Sequence, residues 1–227
     1  VRQKTLHRIQ RYLYVICFAI LLWIAFITTR IVTNSSVAAV FNQHIALISG
    51  HAGYDSGAVC TDDNGNTTVT EAAINAKVAQ LVAERLRRSG ADVEILEEFD
   101  SRLAGLQADL FLSIHADSCI DVSGYKAARY PGSAVSADAD RLISCIDHFY
   151  PAATGLTLHG DTITHNMTDY HAFRQIDPST PAAVIELGFL GADQDLLVNR
   201  PEVVARGITD SLICFFAPDS SATPEEP

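Results

Sequence analysis

Positive charge is scarce in this chain. Lys and Arg number 16 against 27 Asp and Glu, and 5 of the basic residues lie at or before Arg30. All the acidic residues come later, so the part after Arg30 carries 11 basic against 27 acidic residues, a net −16. That argues against a nucleic acid as partner, because affinity for a phosphate backbone comes from neutralising it with Lys and Arg. No C-x-x-C spacing occurs among the 5 cysteines, which argues against a cysteine-ligated zinc site. No internal repeat and no composition break divides the middle. With 227 residues and 48% hydrophobic residues, one good core and one globular domain are expected.

Charge is absent altogether from Tyr12 to Thr29, YLYVICFAILLWIAFITT. A membrane span needs about 20 apolar residues. Arg2, Lys4, Arg8 and Arg11 precede the run and predict a cytoplasmic N-terminus with the rest exported. The rival reading is a cleaved signal peptide, with Ser36-Val37-Ala38 as a tolerable small-residue site. The expected layout is a basic cytoplasmic segment 1–11, a transmembrane signal-anchor 12–29, a linker 30–43, a globular domain 44–216 and a disordered tail 217–227. The protein would then be single-pass in the cell membrane with its globular domain outside, or secreted if the signal is cleaved. Cys60, Cys119, Cys145 and Cys214 would lie in an oxidising compartment.

Three apolar runs carry chemistry at or near their carboxyl ends. HIALIS (His44–Ser49) leads into GHAGYDSGA and His51; ADLFLSIHADS ends its run on His115; PAAVIELGFL holds Glu186. Short apolar runs read as buried strands, and open α/β sheets build sites beyond strand carboxyl ends. DVEIL (Asp92–Leu96) is a further strand, and GYKAARY another. Helices are expected near 69–89, with Ile74, Val78, Leu81, Val82 and Leu86 at helical spacing, near 135–149, and over Pro201–Phe216. A short strand is expected at Tyr170–Gln175. His159 and His165 read as polar loop residues.

Two carboxylates need explaining. Glu71 falls on the buried side of the first helical turn. Thr68-x-x-Glu71 is a capping-box pattern, and a metal ligand is the competing role. Glu186 lies in the most apolar stretch after Arg30, so it is either ion-paired or lines a site. Two histidines with a carboxylate form a known zinc set with a fourth position left for water, and a second carboxylate nearby takes the water's proton. Cys60 follows the first histidine motif and Cys119 the second. Either the motifs meet and the two form a disulfide, or they stay apart.

The stretch from about His44 to Phe216 resembles the zinc-dependent N-acetylmuramoyl-L-alanine amidases of bacterial cell-wall turnover. The resemblance rests on SGHAGYDSGA, TEAAINAKVAQLVAERLRRSGADVEIL, ADLFLSIHADS and PAAVIELGFL, in that order. It implies an α/β fold with a mainly parallel sheet and helices on both faces. It implies that His51, Glu71 and His115 bind Zn2+ and that Glu186 is the catalytic acid/base. The substrate would be peptidoglycan, cut between N-acetylmuramic acid and L-alanine of the stem peptide. Ala52 stands where the family usually has glycine. Asp117 and Gly191 stand where asparagine is common, and the stretch between Arg102 and Ala108 looks shortened. Arg102, Asp117 and His171 are the candidate substrate contacts. Any activator protein is left open. The rivals are a zinc peptidoglycan peptidase or carboxypeptidase, a catalytically inactive envelope binding or regulatory protein, and a structural envelope protein that holds no metal.

Overall fold

The computed structural model describes residues 11–24 and 39–217. The chain divides between Ala38 and Ala39 into two units. In the first, residues 11–24 are helical, and apolar side chains such as Tyr12, Phe18 and Trp23 are exposed. Among the described residues no helix is long and apolar enough to cross a membrane. The rest of the expected span 12–29, the basic segment up to residue 10, most of the linker, and the tail beyond Ala217 lie outside the described residues.

The second unit is built on a five-stranded sheet. Its strands are β1 (His44–Ser49), β4 (Asp92–Leu96), β5 (Leu110–Asp117), β6 (Lys126–Ala128) and β7 (Ala182–Phe189). The order is β4-β1-β5-β7-β6, parallel except for β6, which runs antiparallel to β7 at the edge. A separate hairpin pairs β2 (Val59–Thr61) with β3 (Thr67–Thr70). The intervening turn is closed by Asp62, whose Oδ1 accepts from the N–H groups of Asn64 and Asn66.

Helices α1 (Glu71–Arg88), α2 (Ser136–Thr154) and α4 (Pro201–Phe216) pack on one face of the sheet. Ile74, Val78, Val82 and Leu86 of α1 meet Ile45, Leu47, Leu112 and Ile185 of the strands. The opposite face, with Ile48, Phe111 and Val184, is covered by short turns: the 3₁₀ turns Ser101–Leu103 and His171–Arg174 and the single-turn α3 (His165–Thr168). The mainly parallel sheet agrees with expectation. Helices on both faces do not in full, since the long ones share one side.

Local differences have local causes. The α1 N-cap is Thr70, whose side chain accepts from the Ala73 N–H at 3.3 Å. Thr68 therefore does not form the expected capping box; it sits in β3 and donates to the Cys60 carbonyl. Residues 170–175 form a 3₁₀ turn instead of a strand, because Ala172 and Phe173 are buried as neighbours and do not alternate. Helix α2 continues through Pro151 to Thr154, beyond the expected end at 149. Tyr150, next to the proline, is fully buried and its hydroxyl donates to the Leu187 carbonyl at 2.6 Å, so this last turn is fastened to β7. A Cys60–Cys119 disulfide ties β2 to the segment after β5. A second, unforeseen bridge joins Cys145 of α2 to Cys214 of α4.

Candidate metal centre

The carboxyl ends of β1, β4 and β5 deliver side chains to one place. Beyond β1 the chain turns sharply, and His51 adopts a φ of 65°, a left-handed conformation costly for a non-glycine residue. The Glu98 Oε2, just past β4, holds the His51 N–H at 2.8 Å. His115 points from β5, and Glu71 opens α1. One ligand atom from each of His51, Glu71 and His115 lies within 4.8 Å of the others. Glycine makes this closeness possible: a Cβ on Gly57, at φ +60°, would fall 2.5 Å from Glu71 Oε2 and 2.7 Å from the His51 ring.

The donor atoms are fixed by partners outside the cluster. His51 Nδ1 faces Asp55 Oδ1 at 2.5 Å, so this nitrogen carries the proton and Nε2 presents a lone pair. His51 Nε2 lies 3.2 Å from Glu71 Oε1. His115 Nε2 faces the Tyr170 hydroxyl at 3.4 Å and Glu98 Oε2 at 3.5 Å. The Tyr170 proton is committed to Glu98 Oε1 at 2.7 Å, leaving its oxygen as an acceptor. The proton of His115 therefore belongs on Nε2, and Nδ1 turns its lone pair to Glu71 Oε1 at 3.0 Å. Two imidazole lone pairs and a carboxylate oxygen then converge, and only a positive charge reconciles them. Either protons or a metal cation can supply it. Without metal, the Glu71 hydrogen bond lifts the His51 pKa to about 9 against the lowering effect of burial. Burial opposes ionisation of Glu71, but bonds from His115, His51 and the Ala58 N–H outweigh it and hold its pKa low. Burial lowers the pKa of His115 and the surrounding carboxylates raise it, with a net upward shift. This donor set fits a divalent cation such as zinc.

Glu186 lies beside the cluster, in register with His115 on one side and Lys126 on the other. The residue is not wholly enclosed, yet its Oε2 is shut from solvent with no hydrogen-bond partner. Burial raises its pKa to about 7, against the lowering influence of His115. Of the candidate substrate contacts, Asp117 pairs with the buried Lys126. His171 donates to Glu98 Oε1 at 2.9 Å, at the margin of the cluster. Arg102 is held by Asp100 and Glu94 (3.0 Å to the latter), which joins it to the β4 edge instead of the cluster.

Sequence reasoning overlooked Glu98, Tyr170, Asp55 and Lys126. Glu98 had a usable signal, since it follows the strand Asp92–Leu96 just as His51 follows β1. Its four polar neighbours, His51, Tyr170, His171 and His115, outweigh burial and hold its pKa at about 2. Tyr170 and Lys126 gave no such sign, because their roles depend on strands and turns far apart in sequence.

A mainly parallel α/β sheet with His51 and His115 beyond its strand ends and Glu71 at a helix start defines an α/β protein with a possible metal-binding site. A profile for N-acetylmuramoyl-L-alanine amidase matches residues 45–213. The chain belongs to the N-acetylmuramoyl-L-alanine amidase family, enzymes that hydrolyse the muramoyl–L-alanine amide of peptidoglycan in cell-wall remodelling. Solved structures share the fold. The catalytic domain of CwlV from Bacillus (Paenibacillus) polymyxa var. colistinus is 22% identical, with a TM-score of 0.55 over 75% of this chain and 96% of that one. Ami1 of Mycobacterium smegmatis is 15% identical, with a TM-score of 0.61 over 78% and 98%. CwlD of Clostridioides difficile, solved with the GerS lipoprotein, is 20% identical, with a TM-score of 0.58 over 77% and 98%. No match is found among curated protein sequences.

Proposed function

We propose that this amidase works with zinc held by His51, Glu71 and His115, and that Glu186 is its general base and acid. The observation that carries the reading is the pair of outer acceptors, Asp55 on His51 and Tyr170 with Glu98 on His115, which turn both lone pairs towards Glu71. Nitrogen and oxygen donors in this number suit zinc with a position left open. A bound zinc would polarise the scissile carbonyl and make water acidic enough to attack near neutral pH.

The protein's own groups do the remaining work. Glu186 Oε2, which lacks a partner and whose pKa lies near 7, takes the proton of the attacking water. The same oxygen returns the proton to the amine of L-alanine as the C–N bond breaks. The products are the lactyl carboxylate on the sugar and a free stem peptide. Lys126, paired with Asp117, stands opposite Glu186 on the neighbouring strand.

The reading extends to location. The uncharged run Tyr12–Thr29, with basic residues before it, would anchor the chain in the cell membrane and place the amidase unit outside. Two disulfides in that unit are consistent with an oxidising compartment. CwlD was solved with a lipoprotein, and an accessory protein at the envelope is part of this proposal.

The test is mass spectrometry of products from the full chain incubated with zinc and peptidoglycan. Stem peptides beginning with a free L-alanine are expected, and Glu186→Gln should lower kcat by at least about a hundredfold while metal content is kept. Cuts inside the stem peptide, or near wild-type turnover by the variant, would overturn the reading.

A further inference from the structure

Beside the metal cluster lies an aromatic ledge that hydrolysis itself does not require. Tyr54 and Phe99 are 67% and 55% exposed. Their rings meet edge-on at 4.7 Å, and Phe99 lies over the His171 ring at 4.5 Å with an interplanar angle of 31°. Both ends of the ledge are fastened to the centre. Tyr54 follows His51 in the same turn and donates its N–H to the His51 carbonyl at 3.1 Å. Phe99 follows Glu98, and His171 bonds Glu98 at 2.9 Å. Water-facing rings leave apolar surface in water that a ligand gains by covering, and these are held at a fixed place beside the reacting groups.

The charges around the ledge choose its occupant. Asp55 is half-exposed at the Tyr54 end. The Glu97 carboxyl carbon lies so near Gly53 that a Cβ there would fall 2.6 Å away. Arg102, the basic residue next in sequence, is already engaged by Asp100 and Glu94. A stem peptide rich in carboxylates would be repelled here. An uncharged N-acetylhexosamine is complementary: its C–H face lies on the rings, and its hydroxyl and amide N–H groups donate to the carboxylates. The scissile carbonyl belongs to the lactyl arm of a sugar, so with that carbonyl at the cluster a sugar stands within a few bonds of the ledge.

We propose that Tyr54 and Phe99 form a glycan subsite that binds the sugar backbone of peptidoglycan and selects glycan-linked stem peptides. This rests on the amidase reading of the neighbouring centre. The test compares the full wild-type chain with Tyr54→Ala/Phe99→Ala on two substrates, a disaccharide-linked stem peptide and a lactyl-peptide without sugar. For the double variant, KM on the sugar-bearing substrate should rise roughly tenfold with kcat nearly unchanged, and the sugar-free substrate should be hydrolysed as by wild type. Tyr54→Phe/Phe99→Tyr, which keeps both rings, should restore KM. Calorimetry with an uncharged GlcNAc tetrasaccharide should show binding by wild type and its loss in the alanine variant. An equal rise in KM on both substrates would place the peptide on the ledge and overturn the proposal, as would unchanged KM and unchanged tetrasaccharide binding. Tetrasaccharide binding that needs both rings, in a protein that releases no L-alanine-ended peptide, would support the subsite and reject the amidase mechanism instead.

Discussion

Asp55 Oδ1 stands 2.5 Å from His51 Nδ1, four residues before it in the same loop, and also accepts the Gly57 N–H at 2.9 Å. One carboxylate thus sets both the tautomer of the histidine and the shape of the turn that carries it. Outer partners of this kind typically tune metal affinity by 10–100-fold. Asp55→Ala should weaken zinc binding by about that factor in competition with a chromogenic chelator. Unchanged affinity would show that the tautomer is fixed by something else.

The two loop glycines Gly57 and Gly65 separate crowding from backbone strain. Both have positive φ, +60° and +79°, but a Cβ on Gly65 meets nothing within 4 Å whereas one on Gly57 strikes Glu71 and His51. Gly57→Ala should lose zinc and activity. Gly65→Ala should keep both and cost only about 1 kcal/mol or so of stability in urea unfolding. Equal effects from the two substitutions would remove the steric argument.

Glu186 makes the metal-free protein sensitive to pH. Its folded-state pKa is about 7, above the ordinary 4.5. Between these values the folded state holds a proton that the unfolded state has released, so stability falls as pH rises through this window. The loss is complete above pH 7 and on the order of 3 kcal/mol. Chelator-treated Glu186→Gln should therefore match wild type near pH 4 and exceed it at pH 8 in urea unfolding. A difference independent of pH would rule this account out.

The two disulfides should separate stability from activity. Cys145 and Cys214 join α2 to α4 behind the sheet. Replacing both with serine should cost about 2–4 kcal/mol and leave turnover intact below the melting temperature. Cys119 lies two residues past Asp117, so Cys60→Ser/Cys119→Ser should lower kcat as well. Turnover assays at 25 °C beside melting curves would decide, and full activity without the Cys60–Cys119 bridge would count against its role in shaping the site.

Sequence alone determined the strands His44–Ser49 and Asp92–Leu96 and the closing helix Pro201–Phe216, and it singled out His51, Glu71, His115 and Glu186 as candidates. Each is encoded locally, by an apolar run, a helical stripe, or a polar residue set against an apolar run. The resemblance to the amidases then assigned roles that spacing left open. Only the tertiary structure decided that Thr70 rather than Thr68 caps α1, because the hairpin β2–β3 claims Thr68 for the Cys60 carbonyl. It alone paired Cys145 with Cys214, joined Lys126 to Asp117, and brought Tyr170 and His171 to Glu98. Those partners are separated by 9 to 73 residues, and no local pattern states which distant groups a strand order will bring within hydrogen-bond reach. The fold therefore read largely from hydrophobic periodicity, while the protonation and tautomer of its centre came from contacts that form only when the sheet does.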